Sequence, residues 1–287
     1  MNQIVKDTVF CGSEYDRLKK VIVCEPRFMK IREVINETQK YYKEDNIKIP
    51  LALQQHEAFI NLLKNHDIDV IQLPAEPTYN EQVFTRDIGF TLGHTIFIAE
   101  MASPIRQGEE TILKSWIEDH SLPNYNLNHE RIEGGDVIID RDSIYVGLSN
   151  RTHKHSARQL QKLLTDYEIK PIRFEEKYLH LDCIFNIISP TEALIFPDAI
   201  DEEDRKQLSE RYDLIIVSPE EQFTLGTNVL SIGHKKIISL PMNTQVNMEL
   251  RKRGYEVIEC DISEIIKSGG SFRCCTLPFL RTESPLQ

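Results

Sequence analysis

Ile88-Gly89-Phe90-Thr91-Leu92-Gly93-His94-Thr95-Ile96-Phe97-Ile98-Ala99 is the stretch that decides the fold. Two apolar runs of strand length flank a tight Gly-His turn, the pattern of a β-hairpin. The figure returns downstream at 136–140 with 143–147, at 183–188 with 193–196, and at 228–232 with 236–240. Each hairpin is followed by a helical segment (109–119, 155–165, 202–211, 246–253) and then by a short strand (125–127, 169–174, 213–217, 255–260). Hairpins recurring roughly every 45 residues indicate a repeat architecture.

A doubly wound sheet would place single strands between helices, and an all-β propeller blade would lack the helix. A unit of hairpin, helix and strand repeated around an axis gives instead a closed α/β propeller. Upstream lie a strand at 18–24, a segment to 65 that is mostly helical in pattern, most clearly at 51–64, and a strand at 69–73. The last repeat finishes with a glycine- and cysteine-rich stretch and is expected to share its sheet with the N-terminal strand. No linker interrupts the pattern, so the expectation is a single domain over 1–287.

The 287 residues carry 40% hydrophobic and 28% charged side chains, an ordinary composition for a water-soluble globular chain with a sizeable core. A net charge of −11 argues against a nucleic-acid footprint and mildly favours a small cationic ligand. No signal peptide and no membrane-spanning run is visible, which gives a cytoplasmic expectation with no membrane partner. Six cysteines without CxxC or zinc-finger spacing read as free thiols, and no metal site is expected.

The chemistry-bearing residues sit at one end of successive repeats: Asp87 in Phe-Thr-Arg-Asp, Glu133 before Gly134-Gly135-Asp136, His180 and Asp182 in His-Leu-Asp, and Cys274 in Gly-Gly-Ser-Phe-Arg-Cys-Cys-Thr. Taken singly, each has a structural reading: Asp87 a turn cap, Gly134-Gly135-Asp136 a bulge, Cys274-Cys275 a buried pair in a final strand. Arg273 offers a cationic neighbour that could lower a thiol pKa. In a ring of repeats, however, equivalent ends face the axis. A carboxylate, a His–Asp pair and a thiol would then converge in one funnel, as a catalytic constellation requires.

Those motifs, with Gly-Leu-Ser-Asn-Arg-Thr at 147–152, stand in the order found in the guanidino-modifying enzymes of the pentein fold. From Val21 onward the chain resembles arginine deiminase, the arginine amidinotransferases and, most closely, dimethylarginine dimethylaminohydrolase. The resemblance implies a five-bladed α/β propeller that hydrolyses guanidino C–N bonds of arginine-like substrates. It implies Cys274 as nucleophile, His180 as acid and base, Glu133 as the orienter of His180, and Asp87 as the guanidinium grip. Arg151 and Arg106 match the residues that take the substrate α-carboxylate. No metal or organic cofactor is implied; the partner is a small cationic guanidino compound, and a homo-oligomer stays open.

Two features cut against the dimethylated substrate. Asp182 and Arg86 follow the deiminase and amidinotransferase pattern. A second carboxylate facing a dimethylated nitrogen would be left unpaired, at a cost of about 1–3 kcal/mol. Arginine deiminase and amidinotransferase therefore remain alternatives, as does a catalytically silent pentein binder, against which the retained Cys274, His180 and acids argue. Residues 28–50 are the candidate lid.

Overall fold

The computed structural model describes residues 9–127 and 131–283. Fifteen strands form five three-stranded sheets. The first sheet holds β1 (Arg17–Cys24) and β2 (Asp69–Leu73), the second β3 (Gly89–Leu92), β4 (Thr95–Ile98) and β5 (Asn124–Asn126). The third holds β6 (Val137–Asp140), β7 (Ser143–Leu148) and β8 (Glu168–Arg173). The fourth holds β9 (Phe185–Ile187), β10 (Glu192–Ile195) and β11 (Asp213–Ile216), and the fifth β12 (Leu230–Gly233), β13 (Lys236–Ser239) and β14 (Glu256–Glu259). The C-terminal β15 (Leu277–Thr282) returns to complete the first sheet.

Every sheet has the same wiring. Its middle strand pairs antiparallel with the inner strand and parallel with the outer one. A parallel neighbour needs a crossover, and a helix supplies it each time. One six-residue helix, α1 (Glu37–Tyr42), precedes these; the crossovers are α2 (Ile49–Asn65), α3 (Glu109–Asp119), α4 (Lys154–Leu163), α5 (Glu202–Arg211) and, after a short α6 (Pro219–Phe223), α7 (Thr244–Lys252). This is the five-bladed α/β propeller, closed by pairing β15 of the C-terminus antiparallel to β1 near the N-terminus.

The burial pattern follows from that arrangement. Inner strands β3, β6, β9 and β12 are buried throughout, whereas outer strands β2, β8, β11 and β14 each carry exposed positions. An inner strand is covered on both faces and can carry an unbroken apolar run; an outer one cannot. Among the described residues no helix is long and apolar enough to cross a membrane.

One expectation changes. Cys274 and Cys275 lie in a turn that ends before β15, not in the strand. Cys275 N–H donates to Ser271 O at 2.9 Å and Thr276 N–H to Arg273 O at 3.1 Å. Strand alternation therefore does not decide which cysteine faces the axis; contacts do.

Candidate active site

Each inner strand is entered through a tight turn, and the turn residue aims inward. Asp87 lies two residues before β3, Glu133 and Asp136 just before β6, and His180 and Asp182 before β9. Cys274 precedes β15. The fourth inner strand, β12, is preceded by Asn228, whose N–H turns back onto Leu225 O at 2.9 Å. The repeat brings all five turns to one end of the axis, so residues scattered over the chain meet. All seven of these side chains are buried.

Cys274 Sγ lies 3.7 Å from both oxygens of Asp182 and receives the Asn228 side-chain N–H at 3.2 Å. The Asn228 carbonyl accepts the Cys274 backbone N–H at 3.2 Å, and its amide also donates to Asp182 O at 3.0 Å. Asn228 thus clamps the sulfur and its backbone together. Sequence reasoning missed it, having read residue 228 as the first position of a hairpin strand. The signal was present: it is the polar residue at the repeat end where the other blades carry Asp87, Glu133, His180 and Cys274.

The Cys183 thiol beside it, burial, and the Asp182 carboxylate together hold the Cys274 thiol well above the ordinary range. Arg273 does not counter this directly. Its guanidinium forks onto Glu14 and donates to Val137 O at 3.0 Å, with its Nε 3.3 Å from Asp182. The cation expected to activate the sulfur is instead spent on carboxylates.

His180 Nε2 meets Glu133 at 2.7 Å, and its Nδ1 faces Asp87 Oδ1 at 3.4 Å. Burial would lower its pKa, but Asp87 and then the Glu133 hydrogen bond prevail and push it up to about 10. The imidazole is therefore cationic at neutral pH. Glu133 is fixed by the Ala102 N–H at 2.9 Å; although burial opposes its charge, the His180 bond holds its pKa below the usual range. Asp136, pushed up to about 6 by burial, accepts the Leu181 N–H at 2.9 Å and so anchors the turn that carries His180.

Asp87 Oδ1 and His180 Nδ1 face each other at 3.4 Å and, among the described residues, neither makes a hydrogen bond. The other Asp87 oxygen is taken by Arg106 at 2.6 Å.

Arg106 departs from expectation. It is buried, with two N–H groups on Glu109 at 3.1 and 2.8 Å as well as the bond to Asp87. A guanidinium so compensated is not offered to a substrate carboxylate; it sets the orientation of Asp87. Arg151 is placed differently. It donates to Leu179 O at 3.2 Å and lines a cavity of about 240 Å³ with Ser103, Ser149 and Tyr178. A second cavity, of about 200 Å³, is lined by Asn36, Thr38, Tyr178, Leu179 and Cys183. Ile35 lines the first cavity and Asn36–Thr38 the second, all four within the candidate lid segment.

Gly135 packs beneath the acid and the imidazole. A Cβ there would stand 2.7 Å from Asp87 Oδ1 and 2.7 Å from the His180 ring. Gly135→Ala should therefore displace both groups and lower kcat on the order of 10²-fold while far-UV circular dichroism stays native. Unchanged turnover would show that the ring and acid need not sit where they do.

Among the described residues, Asp182, Cys183 and Cys274 form the one donor group compact enough to hold a metal ion, their ligand atoms within 4.8 Å of one another.

Comparison with known proteins bears on the family and the fold. A family profile for N,N dimethylarginine dimethylhydrolase, eukaryotic, matches residues 25–281. The chain is 53% identical over 273 residues to the uncharacterized protein YkgA of Bacillus subtilis, covering 95% of this chain and 96% of that one. It is 24% identical to the dimethylarginine dimethylaminohydrolase of Mycobacterium tuberculosis, over 91% of this chain and 86% of that one. The substrate-bound N-terminal domain of ArgZ, an arginine dihydrolase from cyanobacteria, superposes with a TM-score of 0.84 at 25% identity, covering 91% and 98% of the two chains. By fold, by site order and by sequence the chain belongs to the N,N-dimethylarginine dimethylhydrolase family, on the pentein propeller.

Proposed function

We propose that the protein hydrolyses a guanidino C–N bond of an arginine-like substrate through a covalent intermediate on Cys274. The observation that carries this reading is the buried cluster in which His180 lies between Asp87 and Glu133, with the sulfur of Cys274 between Asp182 and Asn228 at the same end of the repeats. A planar guanidinium offers paired N–H donors, and carboxylates on its flanks hold the carbon in front of the sulfur.

The proton inventory fits. The substrate brings a positive charge next to Asp87 and Asp182, and that charge favours the thiolate which the empty site disfavours. The sulfur adds to the guanidinium carbon, and His180 donates its proton to the departing nitrogen, which leaves as a neutral amine. Collapse leaves a cationic S-alkylthiouronium on Cys274. His180, now neutral, takes a proton from water; the hydroxide adds to the same carbon, the C–S bond breaks as the O–H proton passes to the leaving sulfur, and a neutral ureido product leaves, restoring the Cys274 thiol whose own proton went to solvent on substrate binding. Glu133 holds the imidazole through both proton transfers. Arg151, bordering the first cavity, is assigned to the substrate carboxylate. No step uses a metal or organic cofactor, so chelator should leave turnover intact.

The test is product analysis: ammonia, methylamine and dimethylamine released from arginine, its mono- and dimethylated forms and agmatine, alongside ureido product. Amine release from none of them, in protein that binds them, would discard the hydrolase reading. Transfer of the amidino group to an added amine without ureido product would replace it by an amidinotransferase.

Asn228 gives a second measurement. Losing one preorganised donor to a developing charge typically costs ~10²–10³-fold in kcat. Asn228→Ala should show that loss and should move the pH profile of Cys274 alkylation to higher pH. A loss of kcat with an unmoved alkylation profile would make Asn228 a packing residue only.

A further inference from the structure

Cys183 has no part in the mechanism above, yet its sulfur lies beside the nucleophile. All six cysteines are reduced and buried, but only these two share a carboxylate: Cys183 Sγ and Cys274 Sγ each lie 3.7 Å from Asp182 Oδ1. The two sulfurs are within 4.8 Å of each other. Cys183 also borders the second cavity, of about 200 Å³, which gives a small molecule a route to the pair. The backbones that carry them are not free to drift apart. Cys183 O accepts Thr227 Oγ1 at 2.5 Å, and the adjacent Asn228 holds both Asp182 O and Cys274.

We propose that Cys183 is a resolving thiol: a hydroperoxide oxidises the pair to a Cys183–Cys274 disulfide that stops turnover and that a thiol reductant reopens. In the first step the Cys274 thiolate attacks the O–O bond, giving Cys274 sulfenic acid and, after protonation, an alcohol (water, when the oxidant is hydrogen peroxide). In the second the Cys183 thiolate attacks that sulfur, the S–O bond breaks, and hydroxide leaves as water once protonated. Two thiols and one hydroperoxide become one disulfide, one alcohol and one water; two electrons pass from sulfur to the peroxide. A neighbouring thiol is what diverts a sulfenic acid from further, irreversible oxidation. Closing the bridge needs the sulfurs to move to bonding distance, which rotation about two Cα–Cβ bonds can supply. The Cys183 hydrogen bond, burial and the Asp182 carboxylate, which keep Cys274 protonated, make the first step slow at neutral pH and faster as pH rises.

The consequence for activity rests on Cys274 being the nucleophile; the bridge itself does not. The experiment treats the reduced full-length protein with hydrogen peroxide in the presence of chelator, blocks remaining thiols, and maps peptides without reduction. Expected are a cross-linked peptide pair joining Cys183 to Cys274, lighter by two hydrogens than the two thiols, and loss of turnover that dithiothreitol reverses. In Cys183→Ser the loss should persist after dithiothreitol, with Cys274 recovered as sulfinic acid. Because that variant is informative only if folded, the wild-type peptide map carries the decision. A wild-type Cys274 found as sulfinic acid, or bridged to Cys275, overturns the proposal. A Cys183–Cys274 bridge that leaves turnover unaffected would confirm the thiol pair and remove Cys274 from the mechanism.

Discussion

Cys274→Ala is expected to abolish turnover, lowering kcat roughly 10⁴–10⁶-fold, with Cys275→Ala remaining within a few-fold of wild type. The asymmetry follows from contacts: Cys274 Sγ faces Asp182 and Asn228, and Cys275 adjoins it in the turn with no hydrogen bond through its sulfur among the described residues. His180→Gln should cost nearly as much, because the two residues act in one step and their effects do not add. Peptide mapping after inactivation by a haloacetamidine is the independent check, and label on Cys275 would reverse the assignment. The same site sets the pH profile. A thiol held well above its usual range is scarce as thiolate, while an imidazole pushed up to about 10 stays protonated through neutrality. Activity should therefore rise with pH from neutral and fall only as His180 loses its proton near the upper limit. A profile that declines already from neutral pH would contradict a cationic acid.

Much of this architecture was written in the spacing of the sequence. The hairpins around Gly93-His94 and Gly233-His234, each followed by a helix and a strand, appear as β3–β5 and β12–β14, with boundaries displaced by only a residue or two. Period and apolar alternation are local properties, so they survive without knowledge of the fold. Closure of the ring by β15 on β1 also follows, since β15 is an inner strand with no middle or outer strand after it among the described residues.

What escaped was whatever depends on which neighbour wins a charge. Arg106 and Arg273 are cations at suitable positions; Glu109 stands only three residues from Arg106, but nothing local to Arg273 says that Glu14 will occupy it. Glu14 lies 259 residues from Arg273. Asn228 was hidden for another reason: a neutral amide is unremarkable in a strand pattern until the blade ends are superposed. Helix α1 was submerged in a longer helical reading, although Asn36 accepts the Gln39 N–H at 2.8 Å as a proper N-cap.

Asp182→Asn is expected to change the choice between substrates. In wild type, arginine or its monomethyl form should be preferred over the Nω,Nω-dimethyl form, by a factor that can reach the order of 10⁴. Both Asp182 oxygens stand 3.7 Å from the attacking sulfur, so a guanidinium carbon in front of Cys274 has a nitrogen beside this carboxylate. Two methyl groups on that nitrogen would leave no donor for it, and burial already pushes the Asp182 pKa up. The rival role, steadying His180, has little to stand on, because His180 is held by Glu133 and faces Asp87. The Asn substitution keeps the shape and the backbone carbonyl that Asn228 binds, so loss of the clamp should be separable from loss of the fold. The measurement is kcat/KM for the three substrates in both proteins. In the variant the values for arginine should fall steeply, and the three should converge. A wild type that favours the dimethylated compound, or a preference untouched by the substitution, would show that Asp182 serves only its ion pair with Arg273 and that selectivity is set elsewhere in the pocket.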